Sequence, residues 1–493
     1  MSDVAKKLND VIRADVYPAS VSAAGSATYF LARRGREKFV GCMGSPCLPS
    51  VQKAGELDGQ CVCTGPLNAE NAAALRKALP WTAPRPLGMA TSAGFGDRLG
   101  LATPGHLRAI QGTGIKPILA QQSIREMTRT QRTAQAVMDA ATWGVFQVGY
   151  KDGFGSDADH IQATEGLDMT MSAGFTTFTI DPGQHVIDAA DTMSAADLQA
   201  NLAKIDLKTL ERSMEELKKA YVTAKPLPFA GAAAMDDAAL LRAVVKYGNA
   251  IAHTARMYRY LKANCKQAFE LEVSVDETSS PTTPEEHYFI AAELKRLGVQ
   301  WVSLAPRFVG RFEKGVDYIG DLGEFRACFA AHVNVMKAVG PYKMSIHSGS
   351  DKFSIYPIIA DLAGPMVHLK TAGTSWLEAV RAVAHIDPGL FREMLDFARQ
   401  RYETDKASYH VSADIAKVPA GKTLSDKQLI DLMDEFNARE VLHVTFGSIL
   451  TADNGERFRK RLYAAIESSE ETYYAVLQKH LGRHVAPFAG KAK

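Results

Sequence analysis

Three histidines stand where a short apolar run gives way to polar residues. They are His160 in Asp157-Ala-Asp-His160, His347 closing Lys343-Met-Ser-Ile-His347, and His368 in Met366-Val-His-Leu-Lys370. Imidazole nitrogens converging from separate segments suit zinc, nickel, iron(II) or manganese better than magnesium. One histidine so placed is ordinarily a core or loop residue; three such placements among 13 histidines point to a divalent metal. Carboxylates accompany them. Glu270 and Glu272 lie two apart in Phe269-Glu-Leu-Glu-Val-Ser-Val275, hence on one strand face, where a carboxylate is costly unless paired or metal-bound. Glu272 is the candidate for chemistry and Glu270, one layer deeper, for structure; Asp276 is near enough to take Glu272's part. Ser156, Asp157 and Asp159 stand in a glycine-bearing stretch, Lys151–His160, read as a loop leading into a helix. At that N-terminus the dipole would favour an ionised Asp159, and capping competes with a role as base. His443, in the strand-like run Val441–Gly447, is a weaker ligand candidate; His185 and His253 read as structural or rim residues.

Eight apolar runs must position these groups: Leu87–Ser92, Ile115–Gln121, Gly144–Tyr150, Thr176–Asp181, Phe269–Val275, Trp301–Ala305, Lys343–His347 and Met366–Lys370. Helical patterns separate them. Strands alternating with helices pair in parallel through right-handed crossovers, and eight such units close into an α/β (β/α)8 TIM-type barrel with catalytic groups at the strand C-terminal ends. A doubly wound open sheet is the competing architecture, but no G-x-G-x-x-G or phosphate-loop pattern follows an early strand. The expected division is a β-rich N-terminal extension at 1–85 packed on the barrel, a catalytic barrel at 86–380 with a helical insert at about 190–265, and a helix-rich C-terminal region at 381–493. Within the extension, Ala27–Leu31 and Lys38–Met43 read as a hairpin. In the insert, Asp197–Val222 and Asp237–Lys262 read as two helices.

The 57 basic residues nearly balance 55 acidic ones, which removes the electrostatic reason to expect a nucleic-acid or membrane-surface partner. No apolar run approaches the ~18 residues of a membrane span. The first residues lack the apolar stretch and cleavage site of a secretory signal, so a cytoplasmic location is expected. Assembly into oligomers is left open. Cys42, Cys47, Cys61 and Cys63 cluster, but with C-x4-C and C-x-C spacings that match no common zinc knuckle; they read as reduced structural thiols, with a structural metal as the lesser alternative.

Five strings sharpen this. Gly94-Phe-Gly-Asp-Arg-Leu-Gly100, Gln121-Gln-Ser-Ile-Arg-Glu126, Asp157-Ala-Asp-His160, Ile346-His-Ser-Gly-Ser-Asp-Lys-Phe-Ser354 and His368-Leu-Lys-Thr-Ala-Gly-Thr-Ser375 resemble, in order, the tagaturonate/fructuronate epimerase family, some members of which are described as tagatose or fructose 4-epimerases. The resemblance spans most of the presumed barrel and leaves out the cysteine cluster. It implies a metal-dependent isomerase acting on a six-carbon keto sugar or keto-uronate. Carried over residue by residue, it makes Asp159 the proton acceptor, Glu272 the proton donor, and His160, His347 and His368 ligands of a divalent cation (zinc, nickel, manganese or iron).

The chemistry then narrows. Tagatose-type and fructose-type sugars differ at C4, which is β to the C2 ketone, so simple enolisation does not activate the C4 hydrogen. With no nicotinamide motif for transient oxidation, retro-aldol cleavage of C3–C4 and re-addition is the expected route, and direct proton exchange between Asp159 and Glu272 the alternative. A uronate carboxylate also needs a cation, for which Lys352, Lys370, Arg307 and Arg125, at or past strand ends, are candidates. Other readings are a class II aldolase, a metal-dependent keto–aldose isomerase and, from another class, a non-catalytic sugar-binding barrel.

Overall fold

The computed structural model describes residues 2–222, 226–232 and 235–491. An antiparallel sheet comes first, from β1 (Asp15–Val16), β2 (Ser22–Ala24), β3 (Ala27–Arg34), β4 (Glu37–Met43), β5 (Gln52–Leu57) and β6 (Gln60–Gly65), in the order β1-β3-β4-β6-β5 with β2 also on β3. The expected hairpin is β3–β4. Asp58 and Gly59, both at positive φ, make the two-residue turn from β5 to β6, the form whose twist matches the flanking strands. The cysteine expectation is corrected. A turn through Gly44, at φ 85°, folds Cys47 back onto Cys42, and the two form a disulfide with Cα atoms 5.7 Å apart. Cys61 and Cys63 are free, and no cysteine joins a potential metal-holding group among the described residues.

Eight parallel strands then close a barrel: β7 (Ser92–Gly96), β8 (Lys116–Ser123), β9 (Gly155–Ile161), β10 (Thr177–Ile180), β11 (Glu270–Val275), β12 (Ser303–Pro306), β13 (Lys343–Ile346) and β14 (Val367–Lys370). Closure sets His368 opposite Ser92 and Lys370 opposite Gly94. The period of two sorts the side chains. Phe95, Ala158, Phe178, Leu271, Leu304, Met344 and Ile346 are fully buried in the main apolar core. Their alternates Asp157, Asp159, Thr179, Glu270, Glu272, Ser303, Ser345, His368 and Lys370 are polar, equally buried, and fill the barrel interior.

Two of the eight expected strands are displaced. The first is β7 and not Leu87–Ser92: its glycines looked like loop residues, but Gly96 is a packing requirement and Gly94 lies against the Gln121 side chain. A Cβ on Gly94 would lie 2.6 Å from the Gln121 side chain, and one on Gly96 2.3 Å from the Ala372 carbonyl oxygen. The third is β9. The apolar run Gly144–Tyr150 ends a helix, Ala134–Val148, capped by Thr133 and stopped by Gly149 in the left-handed region; that helix is buried almost all round, which hides its period. Asp157, Asp159 and His160 therefore sit in a strand, not at a helix start, and the next helix begins at Thr164.

The insert between β10 and β11 opens with three short helices, Ala195–Leu202, Leu207–Leu210 and Met214–Tyr221, where one was expected. Asp206 and Ser213 cap the second and third, and Glu211 at φ 54° breaks the run. Asp237–Asn264 is one long helix, as read. Val441–Gly447 is not a strand: it spans the end of helix Phe436–Val444 and the start of Phe446–Thr451, whose apolar side chains are buried together. The tail's last long helix, Glu470–Val485, packs on Thr103–Ile110 and Thr374–Ile386. No helix among the described residues is long and apolar enough to cross a membrane.

At the strand N-terminal end of the barrel, the Glu270 carboxylate accepts from Leu87 N–H (3.1 Å), Gly88 N–H (2.8 Å) and Thr177 Oγ1 (3.1 Å). Glu270→Ala strands these donors, so it should lower stability by about 2–4 kcal/mol and move the urea midpoint, followed by far-UV circular dichroism, to lower denaturant. An unmoved midpoint would contradict this structural role.

Candidate active site

The centre of the barrel mouth is one ammonium group. Lys370 Nζ lies 2.8 Å from Asp157 Oδ2, 2.7 Å from Asp159 Oδ1, 2.7 Å from Glu272 Oε1 and 2.7 Å from Thr179 Oγ1. Burial works against each of these charges, but the three carboxylates hold the Lys370 pKa well above its ordinary value. In return Lys370, with the neighbouring histidines, overcomes burial and keeps Asp159 and Glu272 below the usual carboxylate range. Asp157 differs: there burial wins and its carboxyl is pushed up. This corrects the helix-terminus reading of Asp159. Asp159 owes its ionisation to Lys370 and not to a helix dipole, Glu272 is ionised as well, and the carboxyl that burial pushes toward neutrality is Asp157.

A bulge aims two consecutive residues at the mouth. Between β9 and β10, Phe178 faces Ala158 and Ile180 faces Ile161, so β9 carries one extra residue and His160 adopts φ 52°. Alternation would have turned His160 away from Asp159; the bulge lets both line the cavity. His160 Nδ1 lies 3.3 Å from Asp181 Oδ2, and its ring meets His347 edge-on with centroids 5.0 Å apart. His347 Nε2 is 2.6 Å from Glu272 Oε1 and its Nδ1 3.0 Å from Asp276 Oδ1. Burial disfavours both imidazolium forms, yet the surrounding carboxylates push His160 up to about 10 and His347 up to about 9. A site that draws protons so strongly onto imidazole is one whose field favours a cation.

The donor set fits a metal. His160, Asp276 and His347 each present one ligand atom, all within 4.8 Å of one another, and His347 Nδ1 is buried without a well-aligned hydrogen bond. Two nitrogens and one oxygen are the chemistry of zinc, iron(II), nickel or manganese. His368 stands elsewhere: two residues before Lys370, its Nδ1 is 3.0 Å from Ser92 Oγ, and burial lowers its pKa to about 3.

The cavity above this cluster is also lined by Arg98, Gln121, Arg125, Lys314, Ser348, Tyr409 and His443. Of the cations expected to meet a carboxylate, Lys370 is central and Arg125 lies at the half-exposed rim, 3.9 Å from Glu277. Arg307 lines an adjoining groove, and Lys352 lies deeper, its ammonium donating to the carbonyls of Glu313, Val316 and Ser350. Sequence reasoning passed over Gln121, whose buried amide atoms have no partner among the described residues, and Lys314 and Arg98. Gln121 and Arg98 were in view as members of the strings Gln121–Glu126 and Gly94–Gly100; Lys314, in an irregular loop, carried no signal.

A family profile described as tagaturonate epimerase matches residues 17–488. The tagaturonate/fructuronate epimerase of Thermotoga maritima is 40% identical over 479 residues, covering 96% of each chain. The crystal structure of the fructuronate–tagaturonate epimerase UxaE of Cohnella laeviribosi, native or with glycerol, superposes with a TM-score of 0.91 at 34% identity over 99% of each chain. With matches of this identity spanning both chains almost end to end, the chain belongs to the tagaturonate/fructuronate epimerase family and is an isomerase.

Proposed function

We propose that the chain interconverts tagaturonate and fructuronate by inverting the carbon equivalent to ketose C4, with a divalent cation held by His160, His347 and Asp276. The family supports the reaction. The observation that carries the mechanism is the pair of carboxylates, Asp159 and Glu272, each 2.7 Å from the same Lys370 ammonium and adjoining the two histidines. Asp276 takes the third ligand position first expected of His368, because its oxygen already faces His347 at 3.0 Å while His368 is engaged with Ser92.

When bound, the cation supplies Lewis-acid polarisation of the C2 ketone and its neighbouring C3 oxygen. Asp159, ionised, accepts the C4 hydroxyl proton as C3–C4 breaks, leaving an enediolate and an aldehyde. The aldehyde rotates and C3–C4 forms again on its opposite face. Lys370, which donates to both carboxylates, takes up the proton held by Asp159 as it passes one of its own to Glu272. Glu272 delivers that proton to the C4 oxygen, so both carboxylates end ionised and Lys370 ends protonated, as they began. Gln121, with both amide atoms unpartnered in the same cavity, is placed to meet sugar hydroxyls.

Incubation with tagaturonate should yield fructuronate, and the reverse, in separated products; neutral tagatose and fructose serve as the comparison, and absence of interconversion would end this reading. Asp159→Asn and Glu272→Gln should each lower kcat by at least about a hundredfold while retaining metal. In heavy water the product should carry no deuterium at C4; stoichiometric label there would establish direct proton exchange. Metal content of purified variants decides the third ligand: Asp276→Asn should lose the cation and His368→Gln keep it, and the opposite pattern restores His368 to that position. Full activity in excess chelator would sink metal dependence altogether.

A further inference from the structure

The cavity also carries basic groups that are incompletely paired. Arg98, in the loop after β7 and 4% exposed, donates from Nε (2.9 Å) and Nη2 (2.7 Å) to a single oxygen of Glu126. Its Nη1 is buried with no partner among the described residues, and the guanidinium is stacked 3.6 Å from the Phe446 ring centroid, so its plane is fixed. Lys314 Nζ donates to the Ser348 hydroxyl at 2.6 Å and has no carboxylate in ion-pair range among the described residues. The imidazole of His443 occupies room left by Gly373, where a Cβ would fall 2.0 Å from the ring, and its buried Nδ1 is also unpartnered. Burial and the charges of Arg98 and Lys314 keep that ring neutral, which leaves it able to donate one N–H. All three line the cavity that holds Asp159, His160, His347 and Lys370.

Arg98, buried with one N–H unpartnered among the described residues, carries a desolvation cost that an incoming anion would offset. We propose that Arg98, Lys314 and His443 form the receptor for the substrate's C6 carboxylate, which makes this site selective for keto-uronates over neutral ketoses. The assignment rests on the epimerase reading above and differs from the cations named from sequence. Arg125 is half-exposed at the rim, Arg307 lies in the neighbouring groove, and Lys352 is enclosed by backbone carbonyls. Lys370 belongs to three carboxylates and cannot serve an incoming anion without leaving one of them unpaired. Arg98 supplies a fixed guanidinium with Nη1 unused, and Lys314 a point charge lining the same cavity.

The test titrates the metal-loaded protein by calorimetry with an equilibrated tagaturonate–fructuronate mixture and, separately, with tagatose–fructose. The native protein should bind the uronates at least a hundredfold more tightly. Arg98→Met and Lys314→Met should each weaken uronate binding tenfold or more and shrink the uronate-to-ketose preference by the same factor, with KM rising more than kcat falls. Arg98→Lys should recover part of the loss, since charge returns without the fork. Lys314, partly exposed and outside the core, keeps the idea testable if Arg98→Met fails to fold. Equal losses for uronate and ketose, or unchanged uronate binding in the Lys314 variant, overturn the receptor. If the native protein binds uronates selectively but converts none, the reaction assigned above fails while the receptor stands.

Discussion

Everything at the mouth of this barrel depends on one buried ammonium surrounded by three buried carboxylates. Removing such charges from water is expensive, and mutual attraction repays it only when every partner is present and well placed. Lys370 meets that condition by touching Asp157, Asp159 and Glu272 at 2.7–2.8 Å. The carboxylates come from β9 and β11 and the lysine from β14, so the cluster exists only when the barrel has closed. Closure in turn brings Gly94 opposite Lys370 and sets Gly96 against the Ala372 backbone, where a side chain would collide. The interior of an ordinary barrel is filled by apolar layers. Here it is filled by groups that stabilise one another's charge.

The loop after β13 carries His347 and Ser348 into the site, and it is held from behind by the C-terminal tail. Asp351, at φ 62°, lies 2.5 Å from His480 Nε2 and 3.0 Å from an Arg439 nitrogen, and its N–H donates to His484 at 2.9 Å. Lys352 ties the same loop to the backbone at Glu313 and Val316. His480 and His484, one turn apart on a helix and beside a carboxylate, have the spacing of metal ligands. Arg439 already neutralises that carboxylate, however, and His484 is occupied as an acceptor, so the cluster is an ionic anchor. The helical tail thus does two jobs: it clamps the loop after β13, and through Tyr409 and His443 it supplies part of the cavity wall. The N-terminal sheet is fastened to the same tail, because Glu470 accepts from Tyr17 and pairs with Arg33 and Lys38.

Six of the eight barrel strands were legible as apolar runs, and the reason is composition: β-branched and aromatic residues between turn signals. The two displaced strands failed for opposite reasons. β7 is mostly small residues selected for close approach, which reads as a loop. β9 carries two aspartates and a histidine, and polar residues in a strand are visible only once their partners on β14 and β11 are known. Of the five residues expected to form the site, the fold brings Asp159, His160, Glu272 and His347 together around Lys370 and seats His368 on Ser92. What sequence alone could not supply was the ordering in space. The bulge that aims His160, the pairing of His347 with Asp276, and the seating of His368 on Ser92 are tertiary facts. So is the ionised state of Glu272, which desolvation alone would have made neutral. His443 shows the same limit: its run Val-Leu-His-Val-Thr-Phe is strand-like in composition, yet tertiary burial makes it helix.

The distribution of charge around the cavity gives the site a direction. One side concentrates Asp157, Asp159, Glu272 and Asp276, and even with Lys370 among them it repels an anion and attracts a cation. Arg98 and Lys314 line the same cavity, and among the described residues only Arg98 of the two has a carboxylate, Glu126, within pairing distance. A keto-uronate is polarised in the complementary sense, with its carboxylate at one end and its ketone, the group a divalent ion would grip, at the other. Binding it backwards would press a carboxylate against the aspartates and leave the basic groups unsatisfied. A neutral ketose meets no such penalty in either orientation, so only the acid gains orientation from electrostatics. With Asp159 as the proposed base, correct orientation would set the C4 hydroxyl against it, and proximity of that kind contributes strongly to a rate. On the proposed assignments, selectivity for the uronate and the geometry of the reaction are therefore consequences of the same separation of charge.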